Sequence, residues 1–248
     1  MEDNSDDTFQ SSAFALVLEG VTKSFSGINA VNDLTLRIKD GERVTLLGEN
    51  GAGKTTTMKI ISGLMKPDKG NVRIYGHRPS TMEAKKFIGY LPEDASPYLN
   101  LSVRENLDYI GTIRNTENLQ DKIEEILSML DLKEFESQKP LSLSRGNRQK
   151  LCLALSIIHS PRFAIMDEPL NYLDIPTQER VFEYFENMDA TFLISTHILS
   201  IARRLTERVL ILSRGKKIWE GTIKDLEDSQ SESKSIEAIV TDLMKNVS

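Results

Sequence analysis

An α/β fold is predicted by three observations in this chain of 248 residues. The run Arg43–Leu47 is short, almost continuously apolar and stops at Gly48, as a buried parallel strand feeding a glycine-rich turn does. A second apolar run, Phe163–Met166, delivers two carboxylates, Asp167 and Glu168, at its C-terminal end. Strands and helices alternate along the chain, and a helical middle third interrupts the alternation.

The elements follow in order. Residues 1–12 carry four acids and few apolar groups. They cannot repay the entropy of ordering and are expected to form a disordered acidic tail. The folded domain is expected over 13–227. Leu16–Leu18, and Leu34, Leu36 and Ile38 alternating with Thr35, Arg37 and Lys39, have the two-residue period of half-buried antiparallel strands. After Arg43–Leu47, the apolar residues Met58, Ile61, Leu64 and Met65 follow helical spacing from Lys54, and Pro67 and Gly70 punctuate the chain before a strand at Val72–Tyr75. Ser102 with Glu105 reads as a capping box, and Ile123, Ile126, Leu127 and Leu130 form one face of another helix. A helix over Gln149–Ile158, the strand Phe163–Met166, a helix near Gln178–Asn187 and a strand at Thr191–Ile194 come next. Val209–Leu212 and Lys217–Glu220 flank Arg214–Gly215 as a closing hairpin. Residues 228–248 read as a serine and acid linker followed by a short amphipathic helix through Ile236, Ile239, Val240 and Leu243.

Composition bounds the function. A net charge of −6 and a pI near 5.3 argue against a protein built to neutralise phosphate backbones, so no nucleic-acid partner is expected. The single cysteine, Cys152, cannot form an internal disulfide and lies in an apolar run, which fits a small core residue in a reducing, cytoplasmic setting. No apolar stretch approaches the roughly 20 residues that span a bilayer, and the N-terminus is acidic where a signal peptide is basic and then apolar. If this protein serves a membrane, it does so from outside.

Gly48-Glu49-Asn50-Gly51-Ala52-Gly53-Lys54-Thr55 fits the phosphate-binding loop pattern in full, between an expected buried strand and an expected helix. Gly48, Asn50, Gly51 and Gly53 let backbone N–H groups converge on phosphates, and the helix start, with Thr56, adds a dipole favourable to anions. Lys54 is expected to reach the outer phosphates and the Thr55 hydroxyl to coordinate magnesium. Ligands of open α/β sheets bind at the C-terminal strand edge, where Asp167 is placed to hold Mg2+ and Glu168 to orient or deprotonate an attacking water. These features predict a phosphate-loop NTPase core that takes a nucleotide's phosphates and Mg2+; that the nucleotide is ATP is implied by the resemblance that follows.

Leu143-Ser144-Arg145-Gly146-Asn147-Arg148-Gln149 resembles the signature motif of ABC ATPases, and the Asp167-Glu168 strand follows it in the family's order. Leu173-Asp174 looks like the D-loop, His197 like the switch histidine, Phe25 like the aromatic residue that stacks on adenine, and Ile88–Glu93 like the Q-loop. The resemblance runs from Leu16 to about Gly221. It implies an antiparallel β subdomain and a helical insert, about 94–160, carrying the signature. It further implies a homo- or heterodimer formed on ATP, in which Ser144 and Gly146 of one copy complete the site of the other. A separate membrane permease subunit is implied as well, met near Asp94–Asn100 at the cytoplasmic face of the cell membrane. Glu93 stands where the family most often has glutamine; a carboxylate can still ligate a hard cation, and glutamate there also occurs in exporters resembling the bacitracin-resistance and sodium-extrusion branch. Arg145 and Asn147 replace the common glycine and glutamine, and Tyr172 stands where a small residue is usual. The other classes the sequence admits are a non-transport ABC ATPase and a regulatory, low-activity partner in a heterodimer.

Overall fold

The computed structural model describes residues 13–228, so the expected acidic tail, and the linker and terminal helix beyond Asp228, lie outside the described residues. The chain begins with strands β1 (Phe14–Phe25) and β2 (Ile28–Lys39), then β3 (Arg43–Leu47), helix α1 (Lys54–Ile61), β4 (Lys69–Ile74), α2 (Met82–Phe87) and β5 (Ile88–Leu91). The helical stretch follows as α3 (Val103–Ile113), α4 (Leu119–Met129) and α5 (Arg145–Ile157). Strands return with β6 (Phe163–Asp167), α6 (Ile175–Asn187), β7 (Thr191–Thr196), α7 (Leu199–Leu205), β8 (Arg208–Ser213), β9 (Lys216–Thr222) and α8 (Ile223–Asp228).

Two sheets result. The alternating N-terminal strands form an antiparallel sheet in the order β2-β1-β4, and the apolar runs form a six-stranded sheet in the order β5-β6-β7-β3-β8-β9. The latter is parallel except for β9, which closes antiparallel on β8. Both faces of its centre are covered, which is why β6 and β7 are apolar without alternation. Phe163 and Ile165 pack with Leu16, Ile38, Met58 and Ile61 beneath the antiparallel sheet. Ala164 and Met166 point the other way, into a core with Leu107, Ile126, Leu127 and Leu151 from the helical stretch.

Local signals explain where expectation and structure differ. The helix from Lys54 ends at Ile61 rather than continuing through Met65. Gly63 takes φ +77°, the amides of Leu64 and Met65 turn back to the carbonyl of Lys59, and Leu64 is left exposed. Helix α5 starts at Arg145, four residues before the apolar periodicity, because the Ser144 hydroxyl accepts from the Asn147 amide and caps it. Helix α6 likewise starts at Ile175, ahead of Gln178, on an Asp174 cap with Pro176 in the first turn. The Ser102–Glu105 capping box of α3 forms as the sequence predicts. Helices α2, α7 and α8 and strand β5 are too short to show a clear period, and the sequence reading does not assign them.

Candidate active site

The parallel register sets the tips of three strands side by side. Asp167 at the end of β6 is opposite Ser195 of β7, and Thr196 is opposite Leu47 at the end of β3. The glycine loop, His197 and the pair Asp167–Glu168 therefore leave the sheet at one edge.

The loop's glycines answer steric demands that no other residue meets. Gly53 takes φ +102°, and a Cβ there would lie 2.3 Å from the carbonyl oxygen of Ala30; at Gly48 it would lie 2.6 Å from that of Leu212. The loop is thus wedged between the β1–β2 layer and β8. This seating aims the start of α1 into a cleft of about 480 Å³. Of the residues singled out in the sequence, Phe25, Asn50, Gly51, Gly53, Lys54, Thr55, Thr56, Glu93, Asp167, Glu168 and His197 line it, and Gly48 does not.

Inside the cleft Lys54, Asp167 and Glu168 are buried, and each is hydrogen-bonded. Lys54, 6% exposed, folds back so that its ammonium donates to the carbonyls of Gly48 at 2.7 Å and Glu49 at 3.2 Å, which leaves one of its three protons for a ligand. Asp167 accepts from the Thr55 hydroxyl at 2.6 Å through one oxygen and from the Ser195 hydroxyl through the other. Glu168, with φ +50°, turns away from the strand and accepts from Nδ1 of His197 at 2.7 Å. A left-handed glutamate costs on the order of 1–3 kcal/mol, and its amide bond to the Ser195 carbonyl at 3.1 Å holds it there. Phe25, 46% exposed, offers a ring face at the cleft mouth with the Lys23 ammonium 5.7 Å from its centroid.

The donor set suits magnesium. Among the described residues no cluster of three or more His, Cys, Asp or Glu side chains forms a metal cage. Mg2+ needs none: it is held by one or two protein oxygens plus phosphates and waters. Thr55 and Asp167 supply such a pair of oxygens, with Glu93 on the same cleft wall.

Ser195, which bonds Asp167, and Asn171, which lines the cleft, are absent from the sequence reading; Tyr172, which also lines it, enters that reading only as an unusually large residue. Ser195 is visible only once β7 is known to run two residues past Ile194. In the sequence, the polar Ser195-Thr196 step at the end of an apolar run is the sole signal for it. Ser144 and Gly146 do not line the cleft. They sit at the N-terminus of α5, on either side of Arg145, which lines a separate cavity of about 420 Å³.

A glycine loop, a lysine and two acids at one parallel-sheet edge define a phosphate-loop enzyme that binds and hydrolyses a nucleoside triphosphate. Residues 31–171 match the family model described as ABC transporter, and the chain belongs to that family, as an ATP-binding ATPase domain. The ABC transporter ATP-binding protein YxlF of Bacillus subtilis is 32% identical over 219 residues, covering 87% of this chain and 73% of the relative. The Nod factor export ATP-binding protein I of Rhizobium johnstonii is 35% identical over 217 residues, covering 85% and 70%. Among solved structures, the dimeric ATP-binding cassette MJ0796 in a post-hydrolysis state with ADP and Pi superposes with a TM-score of 0.77 at 27% identity, covering 84% of this chain and 98% of that one.

Proposed function

We infer that this chain is the motor subunit of a transporter: two copies, or one copy and a related partner, close on ATP, and hydrolysis reopens them. One observation carries this reading. Lys54, Thr55, Asp167, Glu168 and His197 share a cleft, whereas the signature residues Ser144 and Gly146 stand outside it at an exposed helix start. A second copy brings that helix start to the phosphates. The Ser144 hydroxyl and the first amides of α5 then supply donors that the cleft lacks. Nucleotide drives closure because it binds the closed pair more tightly than the open one, and loss of the γ-phosphate removes that difference. The dimeric state of the neighbour bound to ADP and Pi supports the reading.

Within the cleft, Phe25 stacks on adenine, the loop amides with Lys54 and Thr56 hold the phosphates, and Thr55, Asp167 and Glu93 would hold Mg2+, which would supply neutralisation of phosphate charge. Glu168 orients the attacking water and takes its proton, while His197 holds the Glu168 carboxylate in place and reaches toward the γ-phosphate.

A loop of unusual finish supports a docking surface for a membrane partner. The buried Asn106 side chain bonds the amide and carbonyl of Tyr98 and the carbonyl of Leu101, so residues 98–101 are held rigid while Tyr98 and Leu99 stay exposed. Such a rigid, apolar and aromatic surface suits a docking permease. No described helix is long and apolar enough to cross a membrane, which fits a separate permease with this chain at its cytoplasmic face. Export is the direction favoured by Glu93 and by the likeness to the Nod factor export protein. The test is the mass of the purified chain by light scattering with and without Mg-ATP, alongside phosphate release. A chain that stays monomeric and inert at millimolar Mg-ATP ends this reading.

A further inference from the structure

Two of the residues that depart from the family pattern, Arg145 and Tyr172, touch each other. The Arg145 guanidinium lies 3.5 Å from the centroid of the Tyr172 ring, and among the described residues no carboxylate pairs with it. Tyr172 is half exposed, takes φ +66°, and stands in the wall between the nucleotide cleft and the cavity at the start of α5. The backbone is as close as the side chains: a Cβ on Gly146 would lie 2.9 Å from the Tyr172 carbonyl oxygen.

Two further contacts pin the same segment to the same helix. Gln149 donates to the carbonyl of Pro169 at 3.3 Å, and the buried Lys150 ammonium is 3.7 Å from Asp174, the cap of α6. The segment from Pro169 to Asp174, which leaves the strand directly after Glu168, is thus fastened at its beginning, middle and end along the first turns of α5. We propose that the Arg145–Tyr172 stack is a positioning device that makes the loop after Glu168 and the start of the signature helix one rigid piece, so that each copy's catalytic loop sets the aim of the Ser144 and Gly146 it offers to the other copy's nucleotide. A small residue at 172 leaves that piece without a strut, and a glycine at 145 leaves the strut without a seat. Arg145 therefore acts through Tyr172 rather than by touching phosphate itself.

The proposal rests on the two-copy reading above, and the experiment separates the two. In a Glu168→Gln background, ATP-dependent self-association is measured by sedimentation, and Mg-ATP affinity is measured on the dilute, monomeric chain. Arg145→Ala and Tyr172→Ala each weaken self-association about two- to fivefold, the size of an exposed cation–π contact. The double variant is no weaker than either single one, because both remove the same strut. Tyr172→Phe, which keeps the ring, restores the parent value, and Arg145→Ala, outside the nucleotide cleft, leaves monomer affinity where it was. Additive losses overturn the proposal in favour of an independent phosphate contact by Arg145; a Tyr172→Phe variant as weak as Tyr172→Ala, or a drop in the monomer affinity of Arg145→Ala equal to its loss of association, also overturns it. If the parent fails to associate at all, the two-copy reading falls, and this inference falls with it.

Discussion

At the sheet edge, each polar group leans on another buried one: Thr55 and Ser195 on Asp167, His197 on Glu168, Lys54 on its own loop. At the start of α5 the groups are exposed, and Ser144 spends its hydroxyl on its own helix cap. The first region is preorganised, with charges desolvated and held before any ligand arrives, as transition-state stabilisation requires. The second, on the two-copy reading, is half of a site. That reading separates chemistry from assembly in the molecule, and substitutions in the two regions should fail differently.

The sharpest break comes from Glu168→Gln. Removing the base lowers turnover by about 100- to 10,000-fold while the amide keeps the shape of the carboxylate, so nucleotide still binds. Phosphate release under saturating Mg-ATP, paired with equilibrium binding, checks it; turnover within a few-fold of the parent removes Glu168 from its role.

A control lies outside both regions, beneath the helical stretch. His159 donates Nε2–H to the carbonyl of Ile88 at 3.1 Å, and its Nδ1 is buried without a partner. Burial, and then the Arg114 guanidinium, push its pKa from 6.5 down to about 4. The unfolded chain therefore takes up a proton below pH 6.5 that the folded chain refuses until about pH 4. This stabilisation is whole above pH 6.5 and drains away as pH falls to 4, by at most about 3 kcal/mol. Denaturant midpoints of the parent and of His159→Phe, compared from pH 7 to 4.5, isolate it. Parallel curves would show that His159 does not titrate as its burial requires. The acid loss should appear with nucleotide binding intact at neutral pH, which marks it as a fold effect distinct from either region.

Lys54→Ala comes next. A charge-assisted hydrogen bond contributes about 1.5–3 kcal/mol, so Mg-ATP affinity of the monomer drops on the order of 10- to 100-fold. Fluorescent-nucleotide titration reads it, and an unchanged affinity contradicts the phosphate assignment. Unlike Glu168→Gln, this variant fails before any second copy is involved.

These contrasts also show what the sequence could reveal. The sheet-edge residues were legible because their chemistry is local: a glycine loop, a lysine and a pair of acids each announce themselves within a few positions, and burial of Arg43–Leu47 and Phe163–Met166 fixes where they emerge. Ser195 was not legible, since its partner Asp167 is 28 residues away and only the parallel register of β6 and β7 brings them together. The start of α5 was misjudged by four residues because its first turn is polar on every side, and the signal there was the Ser144 cap rather than apolar periodicity. The Arg145–Tyr172 stack was visible only as two unusual residues, 27 positions apart in sequence.

Ser144→Ala has the smallest expected effect and bears most directly on the comparison. The hydroxyl accepts from the Asn147 amide at 3.1 Å, so its loss costs about 1 kcal/mol of stability and lowers the thermal midpoint by about 2–4 °C for a chain of this size. Because Ser144 stands outside the cleft, the nucleotide affinity of the dilute monomer stays where it was. ATP-dependent association weakens beyond what the stability loss explains, since the same hydroxyl is a donor that the opposing phosphates would use. A Ser144→Asp variant separates the two roles: aspartate caps a helix as well as serine does, yet it sets a negative charge against phosphate. Its melting point should therefore recover while its association falls further than that of the alanine variant. If aspartate restores both, the start of α5 serves only its own helix, and the contrast between a complete site and half of one dissolves.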